Sequence, residues 1–375
     1  MSGGLSGVPG FEQLSHIPLY VPGKPIQEVQ RELGLAHIVK LASNENPWGP
    51  TEAVKARVAA VVAGTEFEGL GLYPVSDGFY LRQRIAQRKQ LPVEQVVLGN
   101  GSTEILEMIA KAAFLDGGSA VIPKHSFAMY GIATQTAGGR VIESRASATE
   151  LDVEDILRSV AADTRLVYLA HPNNPTGIRI EGSALRHLVR HLREDIVLVV
   201  DQAYAEYEEP GDYPDAAALL GERPNLLVLH TFSKIHALAG LRIGYGLGSP
   251  ELLSLLERVR SPFNTNHLAQ AAAEVALQDV AFEAFCRQKN AEARTAFLLE
   301  AAQHRCKVTG ASGNFLLMET AFPAPDLFKE LLQRGVIVRP MHGYGLPNHL
   351  RVTLGRPEDM QTFWSAVTPL LDGGC

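Results

Sequence analysis

The sequence predicts an α/β protein in which a larger part forms a mostly parallel sheet and a C-terminal part forms a smaller α+β domain. From about Leu72 onward, short β-rich runs alternate with helix-length segments, which is typical of parallel strands joined by crossover helices. The run at residues 196–200 (IVLVV) is apolar at every position, as expected of a strand covered on both faces. With 375 residues and 46% hydrophobic residues, the chain is also longer than one average domain.

Seven runs are predicted to form the strands of the main sheet. They lie at residues 96–98, 120–122, 141–142, 166–169, 196–200, 226–229 and 241–246. Before them, residues 51–63 have helical composition, and Thr51 is placed to be the N-cap of that helix.

Beyond about residue 264 the chain becomes rich in alanine, and its helical periodicity predicts one long helix over residues 267–304 that links two domains. Strands are then predicted at residues 307–319, 336–339 and 349–354. We therefore divide the chain into an N-terminal arm (1–45) that packs near the small domain, a large domain (46–265) and a small C-terminal domain (266–375).

Composition and charge narrow the classes of function. A net charge of -7 and a pI near 6.0 argue against a nucleic-acid partner. Neither a run of about 20 apolar residues nor a secretion signal is recognised, so we expect no membrane association and a cytoplasmic location. The cysteines Cys286, Cys306 and Cys375 are odd in number and lack CxxC spacing, so neither a disulfide framework nor a zinc site is expected.

The residues that follow the strands are the candidates for binding, because open parallel sheets bind ligands beyond the carboxyl ends of their strands. GNGSTEILE follows the first strand, but Glu104 stands where the dinucleotide-binding pattern requires glycine. The remaining turn could bind a single phosphate near Ser102 and Thr103, or Ser102 could simply cap a helix. HPNNPTG follows the fourth strand with two side-chain amides, which a plain turn would also explain.

Charged residues follow later strands. Asp201 ends a doubly buried strand and should pair with a cation, either in a structural salt bridge or on a ligand. Lys234 follows the strand at residues 226–229, with Arg242 close behind, although a lone lysine is usually a surface residue. In LRVTL, Arg351 points away from its apolar neighbours, so it is either exposed or an anion-binding residue that faces a cleft.

Together the strand ends supply a phosphate-sized turn, an amide, a buried carboxylate and a lysine beside an arginine. Pyridoxal 5′-phosphate requires such a set: a lysine for a Schiff base, an acid for the pyridine nitrogen, and donors for the phosphate and ring hydroxyl. The sequence therefore predicts this cofactor.

The segments NNPTG, VVDQAY and TFSKIHALAGLRIGY resemble the signature segments of fold-type I aminotransferases. The segments LASNENPWGP, LYPVSDGFYLRQRIA, VVLGNGSTEILE, SGNFLLME and HLRVTLG extend the resemblance in the same order from about Tyr20 to about Gly355. The most similar family is histidinol-phosphate aminotransferase. The resemblance implies a fold-type I pyridoxal-phosphate-dependent transferase whose large domain binds the cofactor. It also implies transamination between histidinol phosphate and 2-oxoglutarate in histidine biosynthesis, giving imidazole acetol-phosphate and glutamate.

The resemblance also implies roles for individual residues. The catalytic residues would be Lys234, which forms the Schiff base and carries the Cα proton, Asp201 at the pyridinium nitrogen, and Tyr204, which binds the ring hydroxyl together with Asn174. The implied cofactor contacts further include Phe127 on the ring and Ser102, Thr103, Ser233 and Arg242 on the phosphate. The implied substrate-binding residues are Tyr20, Asn44, Arg339 and Arg351. Tyr73 would reach the cofactor phosphate of the neighbouring subunit, which implies a homodimer, and no metal is implied.

Two positions depart from the family pattern. Gln202 stands where glutamate is usual, and we expect it to point away from the cofactor ring. His125 replaces a residue that is often small or polar, and we expect it to alter the substrate pocket. Two other enzymes remain alternatives: an aromatic amino-acid aminotransferase using the same site, and a phospho-amino-acid decarboxylase of the same fold. A cofactor-binding regulator would need a DNA-binding domain, for which the 40 residues before the match leave no room.

Overall fold

The computed structural model describes residues 11–373 except residues 66–68, 210, 212, 305 and 311. The first ten residues of the predicted arm and Cys375 lie outside this part of the chain. The described helices are α1 Phe11–Leu14, α2 Ile26–Leu33, α3 Glu52–Ala63, α4 Phe79–Lys89, α5 Ser102–Ala113, α6 Ala128–Thr136, α7 Val153–Arg158, α8 Gly182–His191, α9 Pro250–Glu257, α10 His267–Ala276, α11 Val280–Ala301, α12 Ala324–Gln333 and α13 Pro357–Gly373. None of them is long and apolar enough to cross a bilayer.

The described strands fall into a large sheet, a small sheet and one separate pair. They are β1 Val39–Lys40, β2 Val96–Gly99, β3 Ser119–Pro123, β4 Arg140–Ser144, β5 Thr164–Ala170, β6 Val197–Asp201, β7 Leu226–Thr231, β8 Gly244–Leu247, β9 Cys306–Thr309, β10 Phe315–Thr320, β11 Val336–Ile337, β12 Arg339–Pro340 and β13 His349–Thr353.

The large sheet has seven strands in the order β2-β8-β7-β6-β5-β3-β4. Only β8 runs antiparallel to the other six strands, so the predicted mostly parallel seven-stranded sheet is confirmed. The last strand begins at Gly244 rather than at residue 241. Residues Ala239–Leu241 form a 3-10 turn and Arg242 has a φ of 59°, and neither conformation can pair in a sheet.

Helices cover both faces of this sheet. Along β5, Val167 and Leu169 pack into the same cluster as Leu185 of α8, whereas Leu166 and Tyr168 face the helices on the other side. Each fully buried side chain of this kind contributes about 1.5–3 kcal/mol to folding. The strands therefore form a rigid layer whose carboxyl ends are held in fixed positions.

The C-terminal part has its own core and a second sheet. This sheet is antiparallel in the order β12-β13-β10-β9, and a hydrophobic cluster lies between it and α11, α12 and α13. The N-terminal arm contributes to the same region, because Val39 of β1 pairs with Val336 of β11 and Leu41 lies in the cluster. The residue boundaries of the domains remain a prediction.

The predicted helix over residues 267–304 is wrong as a single element. The chain forms α10 and α11 instead, and the side chain of Asp279 accepts a hydrogen bond from the Phe282 N–H at the start of α11. Ala269 on α10 packs in the large-sheet core, whereas Phe297 on α11 packs in the C-terminal core. The break lets each helix bury its apolar side in a different core.

Two other predicted strands are also divided. The run 307–319 forms β9 and β10, which pair antiparallel across a connection where Gly310 and Gly313 have positive φ. The run 336–339 is shared between β11, which pairs with β1, and β12, which pairs with β13.

Candidate active site

A cavity of about 370 Å³ lies at the carboxyl ends of the central strands, between the large sheet and the C-terminal part. Most of the residues implied by the resemblance line it: Tyr20, Asn44, Ser102, Thr103, Phe127, Asn174, Asp201, Tyr204, Ser233, Lys234, Arg242, Arg339 and Arg351. Tyr73 does not line it; this side chain is 77% exposed and stacks on the ring of Phe263.

Lys234 enters the cavity from the turn after β7. The turn is fixed by a 3.1 Å bond from the Ser233 N–H to the Thr231 hydroxyl. The lysine Nζ donates to the Ser43 carbonyl at 3.1 Å and lies 5.4 Å from the centroid of the Tyr204 ring. Burial, aided by the charge of Arg351, lowers the pKa of Lys234 to about 7. A large fraction of this amine is therefore neutral at neutral pH.

Asp201 is buried at the end of β6. Its Oδ2 accepts a bond from the Tyr130 hydroxyl at 2.8 Å, and its Oδ1 accepts one from the Ala203 N–H at 3.1 Å. Burial raises the pKa of Asp201. Within the described part of the chain it forms no salt bridge, so the structural ion pair considered from the sequence is absent there. A buried carboxylate held only by neutral donors is suited to a cationic ligand.

Arg351 is buried and crosses from the C-terminal sheet to the large domain. Its Nη1 donates to Asn174 Oδ1 and its Nη2 to the Ala42 carbonyl, each at 2.6 Å. The Nδ2 atoms of Asn174 and Asn44 donate to the Tyr204 hydroxyl at 3.2 and 3.0 Å. Arg351 is only 7% exposed, so the alternative of an exposed strand arginine is wrong. Its guanidinium has no carboxylate partner among the described residues, which favours an anionic ligand.

A second group of hydrogen-bond donors, which includes the cationic side chain of Arg242, lies at the start of α5. The Arg242 Nη1 lies 3.3 Å from the Ser233 hydroxyl. A Cβ on Gly101 would lie 2.4 Å from the Arg242 Nη2, and a Cβ on Gly244 would lie 2.5 Å from the Ser102 nitrogen. Gly101 is the N-cap and Ser102 the first helical residue, so the interpretation of Ser102 as the N-cap is wrong. Free helix N–H groups beside an arginine form an anion site.

The mouth of the cavity is formed by three parts of the chain. The ring of Tyr20, from the N-terminal arm, meets the ring of Phe127 edge-on with centroids 6.2 Å apart. Arg339 lies 5.9 Å from the centroid of the Tyr20 ring and donates to the Val21 carbonyl. Tyr20 is still 46% exposed, so this side of the cavity is open to solvent.

Sequence reasoning missed two tyrosines that line the cavity, Tyr130 and Tyr344. Tyr130 is on α6, three residues after its N-cap Phe127, and the two ring centroids are 5.7 Å apart, so the packing of this helix places Tyr130 at the cavity. Tyr344 ends the 3-10 turn His342–Tyr344, where no periodic pattern marks it.

The two departures from the family pattern both lie outside the cavity lining. Gln202 donates to the Tyr213 hydroxyl at 2.7 Å and to the Pro214 carbonyl at 3.1 Å, so it points away as expected. His125, expected to alter the pocket, does not line the cavity either. Its Nδ1 bonds to the carbonyl of Tyr344, which does line it, so the contact of His125 with the pocket is indirect.

Comparison with known proteins gives a consistent picture. Residues 36–367 match the family model described as aminotransferase class I and II. The chain is 42% identical over 370 residues to histidinol-phosphate aminotransferase 2 of Methylococcus capsulatus, covering 97% of this chain and 98% of the relative. It is 43% identical over 367 residues to histidinol-phosphate aminotransferase 1 of Cupriavidus pinatubonensis, covering 96% and 95%. The fold matches the crystal structure of histidinol-phosphate aminotransferase from Sinorhizobium meliloti in complex with pyridoxal-5′-phosphate, with a TM-score of 0.88, 23% identity and full coverage of both chains.

Proposed function

Because the chain belongs to the class I and II aminotransferases, and within them to the histidinol-phosphate aminotransferase family, we propose that it transfers the amino group of histidinol phosphate to 2-oxoglutarate. The products would be imidazole acetol-phosphate and glutamate, in a step of histidine biosynthesis. One observation carries the proposal: a single cavity holds two separate anion-binding groups, Arg242 and Arg351, with the buried amine of Lys234 lining it too. A cofactor phosphate would bind to Arg242, and an anionic substrate would bind to Arg351.

The cavity fits pyridoxal 5′-phosphate. The start of α5, Ser233 and Arg242 would hold the phosphate, and the carboxylate of Asp201 would accept a hydrogen bond from the protonated pyridine nitrogen. Tyr204 and Asn174 would bind the ring hydroxyl. When bound, the cofactor supplies an aldehyde that amines can join and a conjugated ring that withdraws the electron pair from the substrate Cα.

Lys234 would act as the proton carrier. A lysine must be neutral to accept a proton, and burial together with Arg351 lowers its pKa to about 7. Its Nζ would take the proton from the substrate Cα and later deliver it to the carbon that was the aldehyde carbon of the cofactor. The contact with the Ser43 carbonyl keeps the amine directed toward the cavity in the resting chain.

Arg351 would bind the substrate anion, with Arg339 and Tyr20 beside it. Histidinol phosphate presents a phosphate ester and glutamate a carboxylate, and a planar guanidinium can bind either with paired hydrogen bonds. The same buried arginine also donates to Asn174. Binding of the anion would therefore be transmitted directly to a residue that we assign to the cofactor ring.

An aromatic amino-acid aminotransferase is the second candidate, because Tyr20, Phe127 and Tyr344 line the substrate side of the cavity and could contact an apolar ring. A phospho-amino-acid decarboxylase is a third. The purified holoenzyme should be mixed separately with histidinol phosphate, phenylalanine and phosphothreonine while the absorbance of the bound cofactor is followed.

We expect conversion to the amine form of the cofactor with histidinol phosphate at a kcat/KM at least about tenfold above that for phenylalanine. Conversion with phenylalanine alone would overturn the first proposal in favour of the second. Release of carbon dioxide from phosphothreonine would favour the decarboxylase.

We further propose a homodimer in which Tyr73 reaches the cofactor phosphate of the partner. Its support is that Tyr73 and Phe263 stack on each other, are 77% and 40% exposed, and lie outside the cavity of their own chain. We also propose a cytoplasmic location, in keeping with relatives named for a biosynthetic activity. The separate hydrophobic clusters support a division into two domains, but α10 packs in the core of the large sheet, which favours a boundary after α10 rather than at residue 265.

A further inference from the structure

A phosphate ester on the substrate side of the cavity presents more oxygens than the guanidinium of Arg351 can bind at once. Two of its terminal N–H groups are already used, by Asn174 Oδ1 and by the Ala42 carbonyl. A carboxylate has two oxygens, whereas a phosphate monoester has three terminal oxygens that each accept hydrogen bonds. Because a planar guanidinium binds two oxygens of one anion at a time, the third oxygen of a phosphate ester bound to Arg351 is left for a donor from another residue.

Tyr344 lies in the right place to be that donor. It precedes β13, which carries Arg351, and follows β12, which carries Arg339. Its side chain lines the cavity and packs on the buried cluster of Leu317, Met341 and Leu346. Arg351, Arg339 and Tyr20, the groups already assigned to the substrate anion, line the same cavity as this side chain.

The Tyr344 hydroxyl has one proton to donate. Within the described part of the chain, the Tyr344 hydroxyl donates no hydrogen bond to a protein acceptor. The O–H can therefore be donated to a ligand in the cavity.

His125 fixes the backbone that carries this tyrosine. Its Nδ1–H donates to the Tyr344 carbonyl, and its own carbonyl accepts a 3.0 Å bond from Asn173 Nδ2. The next residue, Gly345, has a φ of 73°, and a Cβ there would lie 3.4 Å from the His125 ring. His125 therefore connects the 3-10 turn His342–Tyr344 to the loop before Phe127 through a hydrogen bond.

We propose that the Tyr344 hydroxyl donates a hydrogen bond to the substrate's phosphate and thereby favours phosphate esters over carboxylates, with His125 as its positioning residue. This inference rests on the proposed function and names a specificity-determining residue for it. Removal of the hydroxyl leaves Arg351 in place, so a carboxylate substrate keeps its main partner while a phosphate ester loses one donor.

The test is Tyr344→Phe, with the two half-reactions measured separately on the holoenzyme. A hydrogen bond to a charged group is strong, so the KM for histidinol phosphate should rise about tenfold or more, while the KM for glutamate changes by less than about threefold. The matched control is Tyr80→Phe, which removes a hydroxyl from a side chain that is 54% exposed and outside the cavity. An unchanged KM for histidinol phosphate, or equal increases for both substrates, would overturn the proposal.

Variants of His125 provide a second, independent test of the proposal. His125→Ala should raise the KM for histidinol phosphate with little change in kcat. His125→Asn should restore much of the affinity, because asparagine keeps a donor and tolerates the positive φ of 56° found here. In the Tyr344→Phe background, His125→Ala should add less than about twofold. If His125→Ala raises the KM for histidinol phosphate as much in that background as it does in the wild type, His125 does not act through Tyr344.

If the wild-type enzyme fails to turn over histidinol phosphate, the proposed function fails but the Tyr344 inference is still tested. Inorganic phosphate is then used as an inhibitor of the glutamate half-reaction in the wild type and in Tyr344→Phe. An increase of about tenfold in the inhibition constant would support the donor role, and an unchanged constant would overturn it.

Discussion

At the scale of single residues, the charge state of Lys234 follows from where the amine is buried. A buried ammonium group loses hydration, and Arg351 and Arg242 add repulsion because guanidinium groups stay protonated. The nearby carboxylates of Glu45 and Asp201 raise the pKa of Lys234, but by less than burial and the two arginines lower it. The result is a lysine that can act as a nucleophile and a base near neutral pH.

This shift predicts the pH dependence of cofactor attachment to the cofactor-free enzyme. Because the pKa of Lys234 is lowered from 10.5 to about 7, the neutral fraction is nearly complete at about pH 8. The attachment rate should therefore rise between about pH 6 and 8 and then level off, as measured by stopped-flow absorbance. Lys234→Ala is the control and should attach no cofactor. A rate that keeps rising about tenfold per pH unit up to pH 10 would mean that the pKa is not lowered.

The sequence identified those site residues that follow a strand or belong to a recognised segment. Asp201 and Lys234 were found because parallel strands deliver their carboxyl-end residues to one edge of the sheet. Tyr130 and Tyr344 were missed because one lies within a helix and the other in a 3-10 turn. Their position in the cavity depends on how α6 and the C-terminal part pack, which a local pattern does not encode.

At the scale of elements, the main sheet was predictable and the linking helix was not. Buried strands of the large sheet are marked by continuous apolar runs, and the structure confirms seven of them. The helical periodicity after residue 264 continues through residues 277–279, so it gave no reason for a break. The break arises because α10 and α11 bury their apolar sides in different cores, with Asp279 capping the second helix.

The turn before α5 gives a second prediction. Gly101→Ala should weaken the affinity for the cofactor about tenfold or more, because the new Cβ would lie 2.4 Å from the Arg242 Nη2 and displace it from the proposed phosphate site. Affinity is measured by titrating the cofactor-free protein with the cofactor and following its absorbance.

Gly117→Ala is the matched control for this change. Gly117 has a φ of 74°, against 75° for Gly101, but a Cβ there would have nothing within 4 Å. Both variants should lose stability through backbone strain, with the larger loss in Gly101→Ala because its φ of 75° and ψ of 165° lie in a region nearly restricted to glycine; only Gly101→Ala should lose cofactor affinity. Equal affinities in the two variants would show that the approach of Arg242 to the turn does not matter for binding.

At the scale of the whole molecule, the site lies where two cores meet and is completed by residues from both. Arg351 bonds to Asn174 across this junction, and the Ser312 N–H donates to the Gly177 carbonyl at 3.2 Å. A Cβ on Gly310 would lie 1.6 Å from the Thr176 carbonyl oxygen, so the two backbones touch with no space for a side chain. The anion binding that we propose for Arg351 and the ring binding that we propose for Asn174 would therefore be coupled through this hydrogen bond.

The proposed homodimer predicts that two inactive variants restore each other's activity. Tyr73→Ala should lose cofactor affinity because the exposed Tyr73 side chain would serve the partner's site, and Lys234→Ala should lose turnover in its own site. In a mixed dimer, one site would combine an intact Lys234 with an intact Tyr73 from the partner, while the other site would lack both. Unfolding and refolding an equal mixture should recover about a quarter of the wild-type turnover at low cofactor concentration, because half of the dimers are mixed and each has one working site. If the mixture is no more active than the sum of its separate components while mixed dimers are present by mass, Tyr73 does not act across the interface.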